Sequence, residues 1–135
     1  METILLDHDI KVFYITAPSF PNGILAAHQK LHSLVPFSTS RNYFGISRPE
    51  HGVISYKAAA EELSPGEAEK LNCDTLTLKK GNYICIVLPD YLKDLSGIDK
   101  AFKKLLSHPN LDPEGYCVEW YFNDKDVKCM VRLKG

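Results

Sequence analysis

Short apolar runs alternate with polar turns along the chain, and their spacing predicts strands and two amphipathic helices. The run Ile10–Thr16 is rich in β-branched and aromatic residues, and the turn-forming segment 17–23 follows it, which predicts a strand and a loop. From Ile24 to Leu34, apolar residues recur every three or four positions, as in an amphipathic helix. Segments 42–47 and 52–60 then predict a hairpin. The first part of the chain is therefore a strand-helix-strand-strand unit.

The same order of elements returns in the second part of the chain. Segment 61–72 is polar and contains Ser-Pro-Gly, so we predict an irregular excursion over the surface. Strand signals then occupy 76–88, a helical pattern occupies 97–106, and segments 116–122 and 127–133 predict a second hairpin. This part is also a strand-helix-strand-strand unit.

The two units align without a gap at a shift of 74 residues. The string G-I-x-x-A-x-x-x-L opens both helices, at Gly23 and at Gly97, and the shift also matches Ile10 with Ile84 and Val53 with Val127. Two such patterns can align by chance, but the shared string favours duplication. We place repeat one at about 10–60 and repeat two at about 75–134.

A duplication of this kind predicts the architecture of the whole molecule. Each unit has one helix and too small a core to fold alone, so the two units should share one sheet. We expect one α+β domain over residues 1–135, with a mostly antiparallel sheet and two helices on one face. A ligand cleft is expected between the repeats, where symmetric halves diverge.

Composition narrows the function classes. The formal net charge is −1, whereas a nucleic-acid partner requires a basic surplus on one face. No apolar stretch approaches the roughly 20 residues of a membrane span, and the acidic start of the chain does not resemble a signal peptide. We therefore expect a cytoplasmic protein with neither nucleic acid nor membrane as a partner.

Cysteine and histidine spacing gives little support for a metal or a disulfide. Three of the four cysteines sit in apolar, strand-like runs, so we interpret them as buried thiols; the four are Cys73, Cys85, Cys117 and Cys129. His28 and His32 form the one i, i+4 pair of possible ligands, and amphipathic helices carry such pairs by chance. We expect no metal and no cofactor.

The segment 116–122 carries the strongest chemical signal. Glu119 stands in a strand of apolar and aromatic residues, where alternation places Tyr121 on its own face and Trp120 on the other. If the face of Glu119 lies under the helices, the carboxyl is buried, which is costly without a partner, a raised pKa or a function. The alternative is a solvated Glu119, with the aromatic residues of the other face forming the core.

The alignment adds a possible cavity beside this carboxyl. Gly45 occupies the position equivalent to Glu119, and a residue this small would leave an empty volume walled by aromatic rings. Plain core packing is the alternative for each aromatic residue. The predicted ligand-binding residues are Glu119, Tyr121, Trp120, Tyr43, Gly45, Phe20, Tyr56 and Tyr91.

These residues also resemble a known family. The string V-E-W-Y-F-N-D at 118–124, followed by V-K-C-M-V-R-L, is similar to the end of GyrI-like domains, and F-G-I-S, I-S-Y-K-A-A-A-E and G-I-D-K-A-F-K-K-L-L add to the likeness. Such bacterial domains bind small molecules behind AraC-type and MerR-type DNA-binding modules, and also occur free-standing, as in the gyrase inhibitor. The resemblance implies the duplicated fold and a carboxylate at Glu119 that binds cationic aromatic drugs.

The chain departs from the family at both ends. No helix-turn-helix precedes Ile10, and residues 131–133 are V-R-L where family members often have I-P-x. Direct transcriptional control by this chain is therefore not expected.

Three functions follow from the residues and the resemblance. The first is a free-standing, multidrug-type effector-binding domain that captures an apolar, cationic aromatic compound. The second is a hydrolase of strained, cyclopropanoid electrophiles, in which Glu119 acts as acid or base and Tyr121 orients water. The third is a gyrase-inhibitor-like protein that acts by protein interaction. The expected partners are a small organic ligand and, for sensing or inhibition, a separate regulator or a gyrase-like protein.

Overall fold

The computed structural model describes residues 1–134 and assigns them to strands and short helices. The strands are β1 (Glu2–Leu6), β2 (Ile10–Thr16), β3 (Tyr43–Glu50), β4 (Val53–Glu61), β5 (Asp74–Leu78), β6 (Gly81–Leu88), β7 (Cys117–Trp120) and β8 (Val127–Arg132). The helices are α1 (Ile24–Leu34), α2 (Glu67–Lys70) and α3 (Ser96–Leu105), with a 3₁₀ helix at Tyr91–Lys93. Within residues 1–134, every helix is too short or too polar to cross a bilayer.

The strands form one antiparallel sheet in the order β1-β6-β8-β7-β3-β4-β2-β5. The central strands β3 and β7 come from different repeats. At the two ends of the sheet, β1 pairs with β6 of repeat two, and β5, which opens repeat two, pairs with β2 of repeat one. Only residues 7–9 join β1 to β2. Six strand spacings would separate these strands by about 29 Å in a flat sheet, whereas such a link spans at most about 14 Å. The sheet must therefore curl strongly.

The two faces of the curled sheet carry different cores. All eight strands contribute side chains to the core inside the curl, including Phe44, Val118 and Met130. On the other face, α1 packs Ala27 and Leu31 against one half of the sheet, and α3 packs Ala101 and Leu105 against the other half. The predicted α+β class, with one antiparallel sheet and both long helices on one face, is confirmed.

The structure differs from the sequence analysis at three places. Strand β1 was missed, because Leu5 is 70 % exposed between inward-facing neighbours and so obscures the alternation expected of a strand. The run 76–88 is two strands, β5 and β6, separated by Lys79 and Lys80. The segment predicted to be irregular contains α2, which begins directly after Gly66 in the left-handed conformation (φ 85°).

The gapless 74-residue alignment holds only for the helices and the central strands. Gly45 and Glu119 lie 74 positions apart and face each other across β3 and β7. In the adjacent strands, Gly45 pairs with Ala58 while Glu119 pairs with Cys129, so β4 and β8 correspond at a shift of 71. The strand lengths explain the difference: the chain takes 13 positions from Gly45 to Ala58 but only 10 from Glu119 to Cys129, because β3 and β4 extend further beyond this pair than β7 and β8 do.

The two shifts differ by three residues, and because side chains alternate between the faces of a strand, an odd difference places the residues matched by the 74-residue alignment on opposite faces in the outer strands. Ile10 packs inside the curl, whereas Ile84 packs under α3. Val53 is 68 % exposed, whereas Val127 is buried. The predicted matches of Ile10 with Ile84 and of Val53 with Val127 were therefore wrong.

Candidate functional site

Glu119 lies in the middle of the sheet under the helices and is only 8 % exposed. Its Oε1 accepts hydrogen bonds from the hydroxyls of Tyr121 and Tyr56, the latter at 3.3 Å. The Tyr56 hydroxyl also lies 2.9 Å from His28 Nε2, with which it shares a hydrogen bond. We call His28, Tyr56, Glu119 and Tyr121 the carboxyl cluster. The solvated alternative for Glu119 is excluded by its burial.

The strand register brings this cluster together. Tyr56 in β4 pairs with Ser47 in β3, so it stands on the face of Gly45 and Glu119 and leans across Gly45 towards the carboxyl. A Cβ atom at Gly45 would lie 2.1 Å from Tyr56 Oη and 2.9 Å from Glu119 Oε1. The volume beside Glu119 was expected to be empty, but the hydroxyl of Tyr56 occupies it.

Burial controls the protonation of the cluster. It raises the pKa of Glu119, and the hydrogen bonds from Tyr121 and Tyr56 offset part of this rise. Burial, together with the nearby Glu119, also raises the pKa of both phenols. Burial and the neighbouring His32 lower the pKa of His28 to about 4. At neutral pH, Glu119 is therefore the one group of the cluster able to carry charge.

Two aromatic side chains flank the cluster, one from each repeat. Phe20, between β2 and α1, is 45 % exposed and stacks on Tyr56 with ring centroids 6.1 Å apart. Tyr91, between β6 and α3, packs on Tyr121 with centroids 5.5 Å apart. We call Phe20 and Tyr91 the aromatic arms. Each arm precedes the long helix of its repeat, so the two stand in comparable places in the fold.

An open groove of about 400 Å³ lies beside one of these arms. Its lining includes Tyr91, Asp90, Asp94 and Gly97. Tyr91 lines the groove, and its ring also packs on Tyr121, so this residue links the groove to the carboxyl cluster. A second, smaller cavity, of about 50 Å³, is bordered by Tyr116 and Arg132.

The structure does not bring every predicted site residue to the cluster. Trp120 faces the inside of the curl, where it packs on Phe44 and its Nε1 donates to Asn42 Oδ1 at 3.3 Å. Tyr43 shares the face of Glu119, but its ring packs between His32 and Phe37 beyond the cluster. The cluster and its arms contain five of the other predicted residues, which are Glu119, Tyr121, Phe20, Tyr56 and Tyr91, and the sixth, Gly45, lies directly beside Tyr56 and Glu119.

Sequence reasoning missed His28 as a member of the cluster. The sequence drew attention to it only as a possible metal ligand with His32. In the structure the two rings have separate neighbours, since His28 meets Tyr56 and Tyr121 and His32 meets Tyr43. The available signal was the position of His28 next to the inward-facing Ala27 on the helix.

Comparisons with known proteins identify the fold. No protein-family model matches the chain, and no curated protein matches its sequence. An integron cassette protein of Vibrio cholerae has a TM-score of 0.69 at 10 % identity over 98 % of this chain and 95 % of its own. SAV2435, solved with tetraphenylphosphonium bound, has a TM-score of 0.68 at 13 % identity, and the match covers 99 % of this chain and 93 % of SAV2435. A candidate transcription regulation protein of Staphylococcus aureus MU50 has a TM-score of 0.61 at 12 % identity, and the match covers 99 % of this chain and 97 % of that protein.

Proposed function

We propose that this chain is a GyrI-like domain that binds lipophilic aromatic cations, with Glu119 as the counter-charge. The observation that carries the proposal is the buried carboxyl at the junction of the two repeats, surrounded by aromatic rings. Its hydrogen-bond partners are phenols, which carry no positive charge. The ligand supplies the charge that the protein does not.

The energetic argument begins with the burial of Glu119. An ionised carboxylate is costly to bury unless a cation pairs with it. Among residues 1–134, the lysines, arginines and histidines that form ion pairs do so with other carboxylates. A site of this kind disfavours anions, and the binding of a cation stabilises the buried carboxylate.

The rings around Glu119 favour a cation that is also aromatic. A cation over the face of a tyrosine or phenylalanine gains about 0.5–2 kcal/mol, and Tyr56, Tyr121 and the aromatic arms present four rings around one carboxyl. Aromatic ligand groups also stack on such rings. A delocalised charge surrounded by phenyl groups satisfies both requirements.

The path to the carboxyl passes Tyr91. This side chain is half-buried at the side of the groove, and rotation of its ring away from Tyr121 would join the groove to the cluster. The groove of about 400 Å³ falls within the size range of small-molecule sites. Phe20 would stack on the bound ligand from the other repeat.

The fold-level likeness to SAV2435 supports this ligand class. That protein was solved with tetraphenylphosphonium, a permanent cation with four phenyl rings. A domain that binds such compounds acts by sequestering them or by transmitting their presence to a separate regulator protein.

Titration calorimetry with tetraphenylphosphonium tests the proposal. We expect saturable one-to-one binding, weaker binding of neutral triphenylphosphine oxide, and a loss of about tenfold in affinity for the cation in Tyr91→Leu. Leu92→Ala, at a neighbouring position that is 66 % exposed, is the matched control and should bind like the wild type. Equal affinities for the cation and the neutral compound would contradict the proposal. The alternative hydrolase activity is tested by incubating cyclopropane-bearing compounds with the protein and looking for hydrolysis products by chromatography.

A further inference from the structure

The two oxygens of the Glu119 carboxyl have different surroundings. Oε1 accepts the hydrogen bonds of both Tyr56 and Tyr121. Among residues 1–134, no hydrogen-bond donor is bonded to Oε2. One oxygen is therefore fixed by the protein, and the other is available to a proton or to a ligand.

The elements packed around Glu119 offer no positive charge at neutral pH. The α3 side chains under this face, including Ala101 and Leu105, are apolar, while Asp90 and Lys93 of the Tyr91 turn have exposed side chains that approach each other. The titratable groups that face the carboxyl are His28 from α1, Tyr56 from β4, Cys117 and Tyr121 from β7 and the residue after it, Cys129 from β8, and Tyr91 from the 3₁₀ helix.

We infer that the site exchanges a proton for its ligand: Glu119 holds a proton on Oε2 when no ligand is bound and releases it when a permanent cation binds. In this step the O–H bond of the carboxylic acid breaks, the proton passes to solvent, and the cation remains chemically unchanged. The inference rests on the proposed function, and it adds that binding is coupled to pH.

The other groups around the carboxyl do not titrate in the same pH range. Burial lowers the pKa of His28 to about 4, so its imidazole is neutral above pH 5. Burial and Glu119 raise the pKa of Cys117 to about 11 and of Cys129 to about 12, and they raise the pKa of Tyr91. His32, one turn along α1, has a pKa lowered by burial and is removed by a control variant.

The coupling has a defined sign. Burial raises the pKa of Glu119, so the proton is held over a wider pH range than in an exposed carboxyl. Below that pKa, affinity for a permanent cation should rise by up to tenfold for each pH unit, and above it affinity should be constant. One proton should be released per cation in the lower part of the range and none in the upper part.

Calorimetry with tetraphenylphosphonium between pH 5 and pH 9 tests the exchange, with two buffers at each pH: acetate and piperazine at the acid end, and phosphate and Tris from pH 7 upwards. Because the two buffers differ in ionisation enthalpy, released protons appear as a difference in observed heat. We expect proton release and rising affinity in the wild type and in His32→Gln, but pH-independent affinity and no release in Glu119→Gln. Triphenylphosphine oxide should bind without proton release. Binding of the cation with constant affinity and buffer-independent heat would overturn the exchange alone, whereas no binding at any pH would overturn the proposed function together with it.

Discussion

Tyr56 reaches across Gly45 to place its hydroxyl 3.3 Å from Oε1 of Glu119. Gly45 and Glu119 occupy equivalent positions of the two repeats and face each other at the centre of the sheet. One repeat therefore supplies the carboxyl, and the other supplies the space and the phenol that binds it. The site arises from this asymmetry, because two glutamates at these positions would repel each other and leave no room for Tyr56.

Substitution of Gly45 tests this packing. In Gly45→Ala the new methyl group would lie 2.1 Å from Tyr56 Oη, so the phenol must move. We expect a loss of about 1–3 kcal/mol in the free energy of unfolding, the usual cost of overpacking, measured by urea denaturation. The matched control is Gly97→Ala in α3, where the nearest atom is Leu88 Cδ1 at 3.7 Å. That change should be neutral or stabilising, and an equal loss in both variants would contradict the packing account.

The pH dependence of stability tests the protonation of Glu119. A folded-state pKa raised by burial gives stability that is fully present below the unfolded-state pKa and is lost as pH rises through the folded-state pKa. Glu119→Gln removes this loss. The free energy of unfolding of the variant, relative to that of the wild type, should therefore increase as pH rises from 5 to 9, by about 1.4 kcal/mol for each unit of pKa shift. Urea denaturation at pH 5, 7 and 9 measures this, and a constant difference across the range would show that Glu119 is ionised throughout.

His28 should have the opposite effect at acid pH. Burial lowers its folded-state pKa from 6.5 to about 4, so its contribution to stability is present above pH 6.5 and is lost as pH falls towards 4, by on the order of 3 kcal/mol. His28→Gln retains hydrogen bonding to Tyr56 without this titration, so its stability should fall less between pH 6.5 and 4. His8→Gln, at a side chain that is 69 % exposed, is the control. Parallel curves for His28→Gln and the wild type would contradict the burial of a neutral imidazole.

Elements with strong periodicity could be predicted from the sequence, whereas contacts that depend on register could not. Apolar spacing located α1 and α3, and alternation in β7 placed Glu119 and Tyr121 on one face. Alternation also placed Trp120 on the opposite face, which its inclusion in the predicted site overlooked. The filling of the Gly45 position by Tyr56 depends on the pairing of β3 with β4, and the three-residue difference between the repeats does not appear in the gapless alignment.

His28 shows the same limit. Helical periodicity indicates that it lies near the inward face of α1, but the spacing of residues along one helix does not reveal which strand lies opposite. Its partner Tyr56 is 28 positions away in sequence. Their contact follows from the packing of α1 on β4, which only the folded arrangement shows.

The affinity of Glu119→Gln for tetraphenylphosphonium tests the central claim most directly. The substitution keeps the shape of the side chain and removes its charge. At pH 8, we expect affinity to fall by about 1.5–3 kcal/mol, the range for a hydrogen bond to a charged group and about 10- to 150-fold in Kd. Glu114→Gln removes the same charge from an exposed residue and should bind like the wild type. Calorimetric titration of the three proteins decides the matter: a loss confined to Glu119→Gln is the predicted result, and equal affinities in all three would contradict the account.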